Sequence, residues 1–243
     1  MVQPNSTPLY AQIADVLMEQ IESGALSPGD QLPPERQLSD TFGVTRMTIR
    51  QALQVMEMQG LLIRRQGAGT FVRNPKIERH VAHLEPFTIG MTQRGYEPGA
   101  QVIHFEARPA TSSDSRKLRI PISSLLYYVL RLRFVNQEPM MLEKNTLPMK
   151  HFPQLERFDL SKRSLYEVLH TEYGVKITRA YQTLEAVVAS DYEASLLNLK
   201  HAYPVLLEQR IGFDQNDRPV EAAKDLYRGD RFRFVIQRAE LDE

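Results

Sequence analysis

The sequence predicts an α+β protein of two domains. In the first 60 or so residues, apolar side chains recur at helical spacing, whereas from about residue 125 onwards short runs typical of strands dominate. The length of 243 residues suits two ordinary domains, and 42% apolar with 25% charged residues is ordinary globular composition. We therefore expect a first domain over residues 1–73, a polar linker over 74–83 and a second domain over 84–243.

The composition argues against several classes of protein. The chain has no cysteine, so disulfides and thiolate metal sites are excluded, and its six histidines form no metal-binding pattern. No Walker-type glycine loop or nucleophile elbow is present, so we expect no cofactor and no metal. The first residues lack the basic and apolar regions of a signal peptide, and no apolar run approaches ~20 residues, so we expect a cytoplasmic protein without a membrane partner.

Three helices are predicted in the first domain. The first opens at Thr7 and Pro8, where Thr7 can cap the free amides and Pro8 fits the first turn, and it continues as an apolar stripe from Leu9 to Ile21. The second lies between Glu35 and the helix-breaking Gly43, and Thr45 is placed to cap a third helix that runs to about Gln59. Two short helices joined through a glycine-containing turn are typical of a helix-turn-helix.

A β-hairpin is expected after the third helix. Residues 61–65 and 70–73 are short apolar runs on either side of the glycine-rich stretch 66–69. A hairpin in this place is the wing of a winged helix-turn-helix.

Charge is unevenly distributed along the first domain. Residues 1–35 contain five acids and no Lys or Arg, whereas residues 36–76 contain seven bases and two acids. Basic residues on the second helix, third helix and wing suit phosphate neutralisation, and Arg at the start of a recognition helix can bond guanine edges. The predicted contacts are Thr45, Arg46, Thr48, Arg50, Gly67 and Gly69. From the residues alone, a protein-interaction domain with a solvated arginine face remains the alternative.

The motifs of this region resemble the DNA-binding domain of the GntR family of bacterial regulators. The resemblance covers about residues 7–73 without an evident gap, and its motifs lie at residues 8–10, 24–38, 42–53, 60–62 and 67–72. It implies that Arg36, Arg46, Arg50, Gly67 and Gly69 touch operator DNA.

Strands with a few helices between them are predicted in the second domain, which indicates a mostly antiparallel sheet. The expected strands are residues 125–134, 140–147, 177–189, 205–213 and 220–227, and the expected helices are 164–172 and 191–199. Alternation places Tyr127, Val129, Arg131 and Arg133 on one face of the first of these strands.

This domain resembles the UTRA effector domain of the HutC subfamily of GntR regulators. The resemblance spans nearly the whole segment with looser motifs, among them residues 84–88, 131–133, 139–140, 204–206, 219–221 and 227–232. It implies a fold like chorismate lyase, in which a sheet and helices enclose a ligand pocket.

The residues themselves point to an anion or a sugar. Two arginines on one strand face suit a carboxylate or phosphate, although alternating charges are also typical of a solvent face. Resemblance to repressors of N-acetylglucosamine use implies an effector site of Phe87, Thr88, Arg131, Arg133, Glu143, Ser164, Tyr166, Arg179, Glu221 and Tyr227. The alternatives are ion pairing for Arg179 and Glu221, a core position for Phe87 and Tyr227, and a helix cap for Ser164.

The leading hypothesis is a homodimeric repressor that a small effector releases from a roughly palindromic double-stranded operator. The expected effector is a phosphorylated sugar or amino sugar, and the alternatives are urocanate, another organic acid or a fatty acid. An activator and a chorismate-lyase-like enzyme are the other functions considered.

Overall fold

The chain divides into two compact units, Met1–Glu78 (unit 1) and Arg79–Glu243 (unit 2). The structure is a computed structural model that describes residues 7–65, 67–81 and 84–237. The division falls inside the segment predicted as a linker, and each unit is described by itself.

Unit 1 contains the three predicted helices: α1 (Leu9–Glu22), α2 (Glu35–Phe42) and α3 (Arg46–Met58). Gly43 ends α2 with a φ of 65°, a left-handed conformation that suits glycine. The Thr45 hydroxyl caps α3 by accepting a hydrogen bond from the Thr48 amide at 3.3 Å. The apolar stripes meet in one core that includes Ile13, Leu17, Leu38, Ile49, Leu53, Met56, Leu62 and Val72.

The predicted hairpin is also present. Strand β1 (Leu62–Arg65) pairs antiparallel with β2 (Gly69–Val72). The segment before α2 pairs with the other edge of β2. The Leu32 amide donates to the Thr70 carbonyl and the Val72 amide donates to the Asp30 carbonyl, each at 2.8 Å. Strand β2 is therefore hydrogen-bonded along both edges, to β1 and to the segment before α2. The wing and α3 share one hydrophobic core.

Unit 2 is built on a six-stranded antiparallel sheet. Its elements in chain order, starting from a strand that spans the division of the chain, are β3 (Ile77–His80), α4 (Phe87–Gln93), β4 (Pro98–Pro109), α5 (Ser112–Leu118), β5 (Leu125–Val135), β6 (Glu138–Pro148), α6 (Leu165–Tyr173), β7 (Arg179–Val188), α7 (Asp191–Leu196), β8 (Pro204–Phe213), β9 (Pro219–Arg228) and β10 (Phe232–Val235). The sheet order is β4-β5-β6-β9-β8-β7, and β3 pairs with β10 in a small separate sheet.

Helices cover both faces of the large sheet. On one face, α6 packs in a core with Tyr127, Val129, Leu147, Phe152, Leu155, Leu165, Val168, Leu169 and Val220. On the other face, α7 packs in a core with Leu130, Leu132, Leu142, Ala194, Leu197, Val205 and Leu226. The two faces of β5 thus enter different cores, as strand alternation requires.

The α+β fold and the mostly antiparallel sheet are confirmed. Strands β5, β6, β8 and β9 lie within one or two residues of the predicted runs. The sequence did not predict β3, β4, β10, α4 or α5, and β3 lies within the segment that was predicted to be a polar linker.

Candidate functional site

The predicted DNA-contacting residues of α2 and α3 lie on the surface of unit 1. Arg36 is exposed on α2, and Thr45, Arg46 and Arg50 are exposed at the start of α3, while Thr48 is half-buried. The buried stripe of α3 faces the core, so these polar side chains point away from it. This arrangement leaves the first turns of α3 free to enter a groove.

The wing presents its glycines at the surface beside this helix pair. Gly67 and Gly69 have φ values of +74° and +113°, which favour glycine. At Gly69 an added Cβ would lie 2.6 Å from Nε2 of Gln31, the atom that donates to the Ala68 carbonyl at 2.7 Å. The backbone conformation therefore favours glycine at position 69, and a Cβ there would also displace the Gln31 side chain and its hydrogen bond to Ala68.

Unit 2 contains a charged cavity on the α6 side of the large sheet. Strand register aligns one charged residue from each of four neighbouring strands: Arg131 opposite Glu143, Glu143 opposite Asp225, and Asp225 opposite Glu208. Directly paired residues share a sheet face, so this row forms the cavity floor. The empty space among the lining side chains is about 620 Å³, counting open solvent at the mouth.

Glu143 lies between two arginines on this floor. Its Oε2 is 2.6 Å from Nη2 of Arg131 and 3.0 Å from Nη1 of Arg133, and all three side chains are buried. Burial alone would raise the pKa of the Glu143 carboxyl, but the adjacent Arg131 and Arg133 hold it well below its usual range. Glu143 is therefore ionised and neutralises part of the arginine charge.

A second buried group surrounds Arg210. Its guanidinium lies 3.5 Å from Glu221 and 3.3 Å from Asp225, measured from Nε to Oε2 and from Nη1 to Oδ2. The Tyr166 hydroxyl donates to Oε2 of Glu221 at 2.7 Å. Burial, together with the nearby carboxylates, raises the pKa of Asp225 well above its usual value, so this group favours the neutral form.

The cavity walls come from α6, α4 and the segment that follows the division of the chain. Ser164 and Tyr166 line it at the N-terminus of α6, where backbone amides favour an anion. The Arg79 guanidinium lies 5.5 Å from the centre of the Tyr227 ring, and its Nη2 donates to the Glu85 carbonyl at 2.9 Å. The Nη1 atom of Arg79 is buried and has no hydrogen-bond partner among the described residues.

Most of the predicted effector residues meet at this cavity. Its lining includes Phe87, Arg131, Arg133, Glu143, Ser164, Tyr166 and Tyr227. Thr88 adjoins it, because its hydroxyl accepts a hydrogen bond from Arg133 Nη2 at 2.9 Å. Glu221 is fully buried and accepts a hydrogen bond from the lining residue Tyr166, and the Ser164 side chain makes no cap hydrogen bond.

Arg179 does not lie at the cavity, which corrects its predicted place. It begins the edge strand β7, is exposed, and forms an ion pair with Asp217. Its guanidinium is 3.9 Å from the centre of the Phe213 ring, opposite it in the strand register. The surroundings of Arg179 therefore match the alternative considered for it, an ion pair.

Several lining residues were missed by the sequence reading. Glu208 and Arg210 lie two residues apart on β8, and Asp225 lies two residues before the predicted Tyr227 on β9, so each pair shares one face of its strand. The sequence around these charged residues does not indicate that they are buried. Arg79 lay in the polar segment read as a linker.

Within the described part of the chain, no group of three or more metal-ligating side chains is placed to hold an ion. None of the helices in that part combines the length and apolar character needed to cross a bilayer.

Comparison with known proteins gives matches to both units. Residues 9–72 match the family described as bacterial regulatory proteins, gntR family, and residues 93–233 match the UTRA domain. The HTH-type transcriptional repressor NagR of Bacillus subtilis (strain 168) is 37% identical over 228 residues, which cover 94% of this chain and 93% of that protein.

Another relative and one solved structure extend over nearly the whole chain. The mannosyl-D-glycerate transport/metabolism system repressor MngR of Escherichia coli (strain K12) is 31% identical, with 94% of this chain and 95% of that protein covered. The crystal structure of PhnF from Mycobacterium smegmatis is similar with a TM-score of 0.67 at 26% identity, covering 96% of this chain and 99% of that one.

Proposed function

The chain belongs to the GntR family of bacterial regulatory proteins, with a UTRA domain in its second unit, and from this premise we propose a repressor that an anionic sugar derivative releases from operator DNA. Similarity to NagR and MngR, both named repressors, supports the sign of regulation. The name of MngR, which refers to mannosyl-D-glycerate, supports a sugar-derived effector.

The exposed face of α2, α3 and the wing is the proposed DNA-binding surface. Arg46 and Arg50 would reach base edges or phosphates from the first turns of α3, with Thr45 and Thr48 beside them. Arg36 would hold the backbone from α2, and the wing glycines Gly67 and Gly69 allow a close backbone approach to a groove.

Unpartnered buried atoms carry the proposal of an anionic effector. Arg79 Nη1, Arg131 Nε and Asp225 Oδ1 are shielded from solvent and lack a hydrogen-bond partner in the described structure. Leaving such groups unpaired is costly, so a ligand or water is expected to satisfy them. A phosphate would suit the arginines and the α6 N-terminus, and sugar hydroxyls or an amine would suit Glu143, Glu208 and Asp225.

Regulation would follow from unequal effector affinity for two arrangements of a homodimer. Helix-turn-helix dimers bind half-sites that mirror their own symmetry, so the operator would be roughly palindromic. Arg79 stands directly after Glu78, the last residue of unit 1. An effector that engaged Arg79 would therefore act on the chain next to the DNA-binding unit, in the cytoplasm where operator DNA is found.

We propose binding without turnover, because the matched families and the named relatives are transcription regulators. The ion pairs of Glu143 with Arg131 and Arg133 support this, since they hold that carboxylate ionised on the cavity floor.

The effector proposal is tested by thermal unfolding of the full chain with glucosamine-6-phosphate, N-acetylglucosamine-6-phosphate, urocanate and a fatty acid. A ligand specific for the folded state stabilises it by about 2.7 kcal/mol at 100 times its dissociation constant. A rise in the melting midpoint with a phosphorylated amino sugar, but not with unphosphorylated N-acetylglucosamine as the control, supports the proposal. A rise with urocanate or the fatty acid alone replaces the effector.

A further inference from the structure

One carboxylate joins three parts of unit 1 at its basic surface. Glu35, the first residue of α2, accepts a hydrogen bond through Oε2 from Nε of Arg50 on α3 at 2.7 Å. Through Oε1 it accepts from Nη2 of Arg64 on β1 at 3.1 Å. Glu35 therefore links the second helix, the third helix and the wing.

The contact holds the two arginines without covering them. The Glu35 side chain is 24% exposed, whereas those of Arg50 and Arg64 are 57% and 49% exposed. Arg50 is held through Nε, which leaves its two terminal nitrogens for another partner. Glu35 is thus the shared side-chain hydrogen-bond acceptor of both arginines.

We propose that Glu35 is a positioning residue that orients Arg50 and Arg64 for DNA, an inference that rests on the proposed DNA-binding function. A free arginine loses side-chain entropy when it is fixed on DNA, and pre-orientation reduces that loss. The carboxylate would also repel nearby phosphates. Pre-orientation and repulsion predict opposite effects when its charge is removed, so the sign of the effect distinguishes them.

The experiment compares Glu35→Gln with Asp40→Asn in the full chain. Asp40 is an exposed acid on the same helix, so both substitutions remove one negative charge from α2. Affinity is measured at fixed salt on a duplex that the wild-type protein selects from a random-sequence library, and on an unselected duplex of equal length. Glu35→Asp is the second variant, which keeps the charge and shortens its reach.

Positioning predicts that Glu35→Gln weakens binding to the selected duplex by about tenfold, the scale of one well-placed arginine contact. Asp40→Asn leaves that affinity unchanged or raises it, and Glu35→Asp is weakened less than Glu35→Gln. On the unselected duplex, Glu35→Gln binds as tightly as wild type, because the loss concerns orientation rather than overall charge.

A double-mutant cycle separates positioning from a general role in folding. In an Arg50→Gln, Arg64→Gln background, Glu35→Gln should change affinity by less than about twofold, because the residues it orients are gone. An equal loss in both backgrounds, or tighter binding by Glu35→Gln, overturns the inference while the proposed function stands. Selection that yields no preferred duplex overturns site-specific DNA binding itself and this inference with it.

Discussion

Replacing Glu143 with Gln removes the charge that lies between two buried arginines. Arg131 and Arg133 contact the same carboxylate oxygen at 2.6 and 3.0 Å, and the side chains are nearly inaccessible to solvent. The variant keeps the shape of the side chain and one oxygen acceptor. It leaves the two guanidiniums close together with a neutral partner.

The loss in the free energy of unfolding follows from these contacts. Breaking a buried pair by removing one charge costs about 3–5 kcal/mol. We use the lower figure, because Asp225, next in the row, can ionise more readily once Glu143 is neutral. For a domain of about 150–250 residues, about 3 kcal/mol corresponds to a fall of about 6–12 °C in the melting midpoint.

Calorimetry of the full chain at neutral pH measures this change in the transition of unit 2. Glu167→Gln is the control, since Glu167 forms an exposed ion pair with Arg163 and should cost less than about 1 kcal/mol. An anion that occupies the space between the arginines should restore more stability to Glu143→Gln than to wild type. A variant as stable as wild type, or one that no anion stabilises further, would refute this description of the cavity floor.

The same pair predicts a pH dependence. The folded protein holds the pKa of Glu143 below its usual value of 4.5. Its contribution is therefore fully present above that value and is lost as the pH falls below it. The stability difference between wild type and Glu143→Gln should shrink on acidification below about pH 4.5, and urea unfolding at several pH values measures it. A difference that grows on acidification would contradict the assigned ionisation.

Three further predictions concern Arg79 at the cavity, Arg179 outside it and Gly69 in the wing. Arg79→Met removes a buried guanidinium whose Nη1 has no hydrogen-bond partner among the described residues and whose Nη2 donates to the Glu85 carbonyl. We expect a loss of about 1 kcal/mol in the stability of the free protein from the Nη2 bond, and about tenfold weaker binding of a phosphorylated ligand by calorimetry. Equal ligand affinity would exclude Arg79 from the site. Arg179→Ala lies outside the cavity in an exposed ion pair, so ligand affinity should stay within about twofold and stability within about 1 kcal/mol; a larger loss of affinity would return Arg179 to the site. Gly69→Ala should destabilise the wing by about 1–3 kcal/mol and weaken operator binding in gel-shift assays. Gly67→Ala, which meets no nearby atom, should cost less, and equal effects would contradict the role given to Gln31.

Local patterns were enough to predict the helices and the hairpin of unit 1. Helical spacing, the Thr45 cap and the stop at Gly43 are short-range signals, and each corresponds to a feature of the structure. The link from Glu35 to Arg50 and Arg64 joins residues 15 and 29 positions apart. Such a contact depends on how the helices and the wing pack together, so the sequence pattern alone does not predict it.

In unit 2, alternation placed Arg131 and Arg133 on one face of β5, but it gave no basis for deciding whether that face was buried. Strand order decides that question, because Glu143, Asp225 and Glu208 come together only through the neighbouring strands. Strand β4 begins with Pro98 and Gly99, which weaken a strand signal, and its register shifts between Val102 and His104. The missed strand β4 thus depends on long-range pairing with β5.

We propose that an anion bound in unit 2 releases DNA bound by unit 1. Fluorescence anisotropy on the wild-type protein and its selected duplex tests it directly, with saturating N-acetylglucosamine-6-phosphate and with unphosphorylated N-acetylglucosamine as the control. We expect the phosphorylated sugar to weaken operator affinity at least fivefold, the lower end of typical allosteric coupling at about 1 kcal/mol, and the control to leave operator affinity unchanged. Unchanged operator affinity at a concentration where calorimetry shows the phosphorylated sugar bound would contradict it.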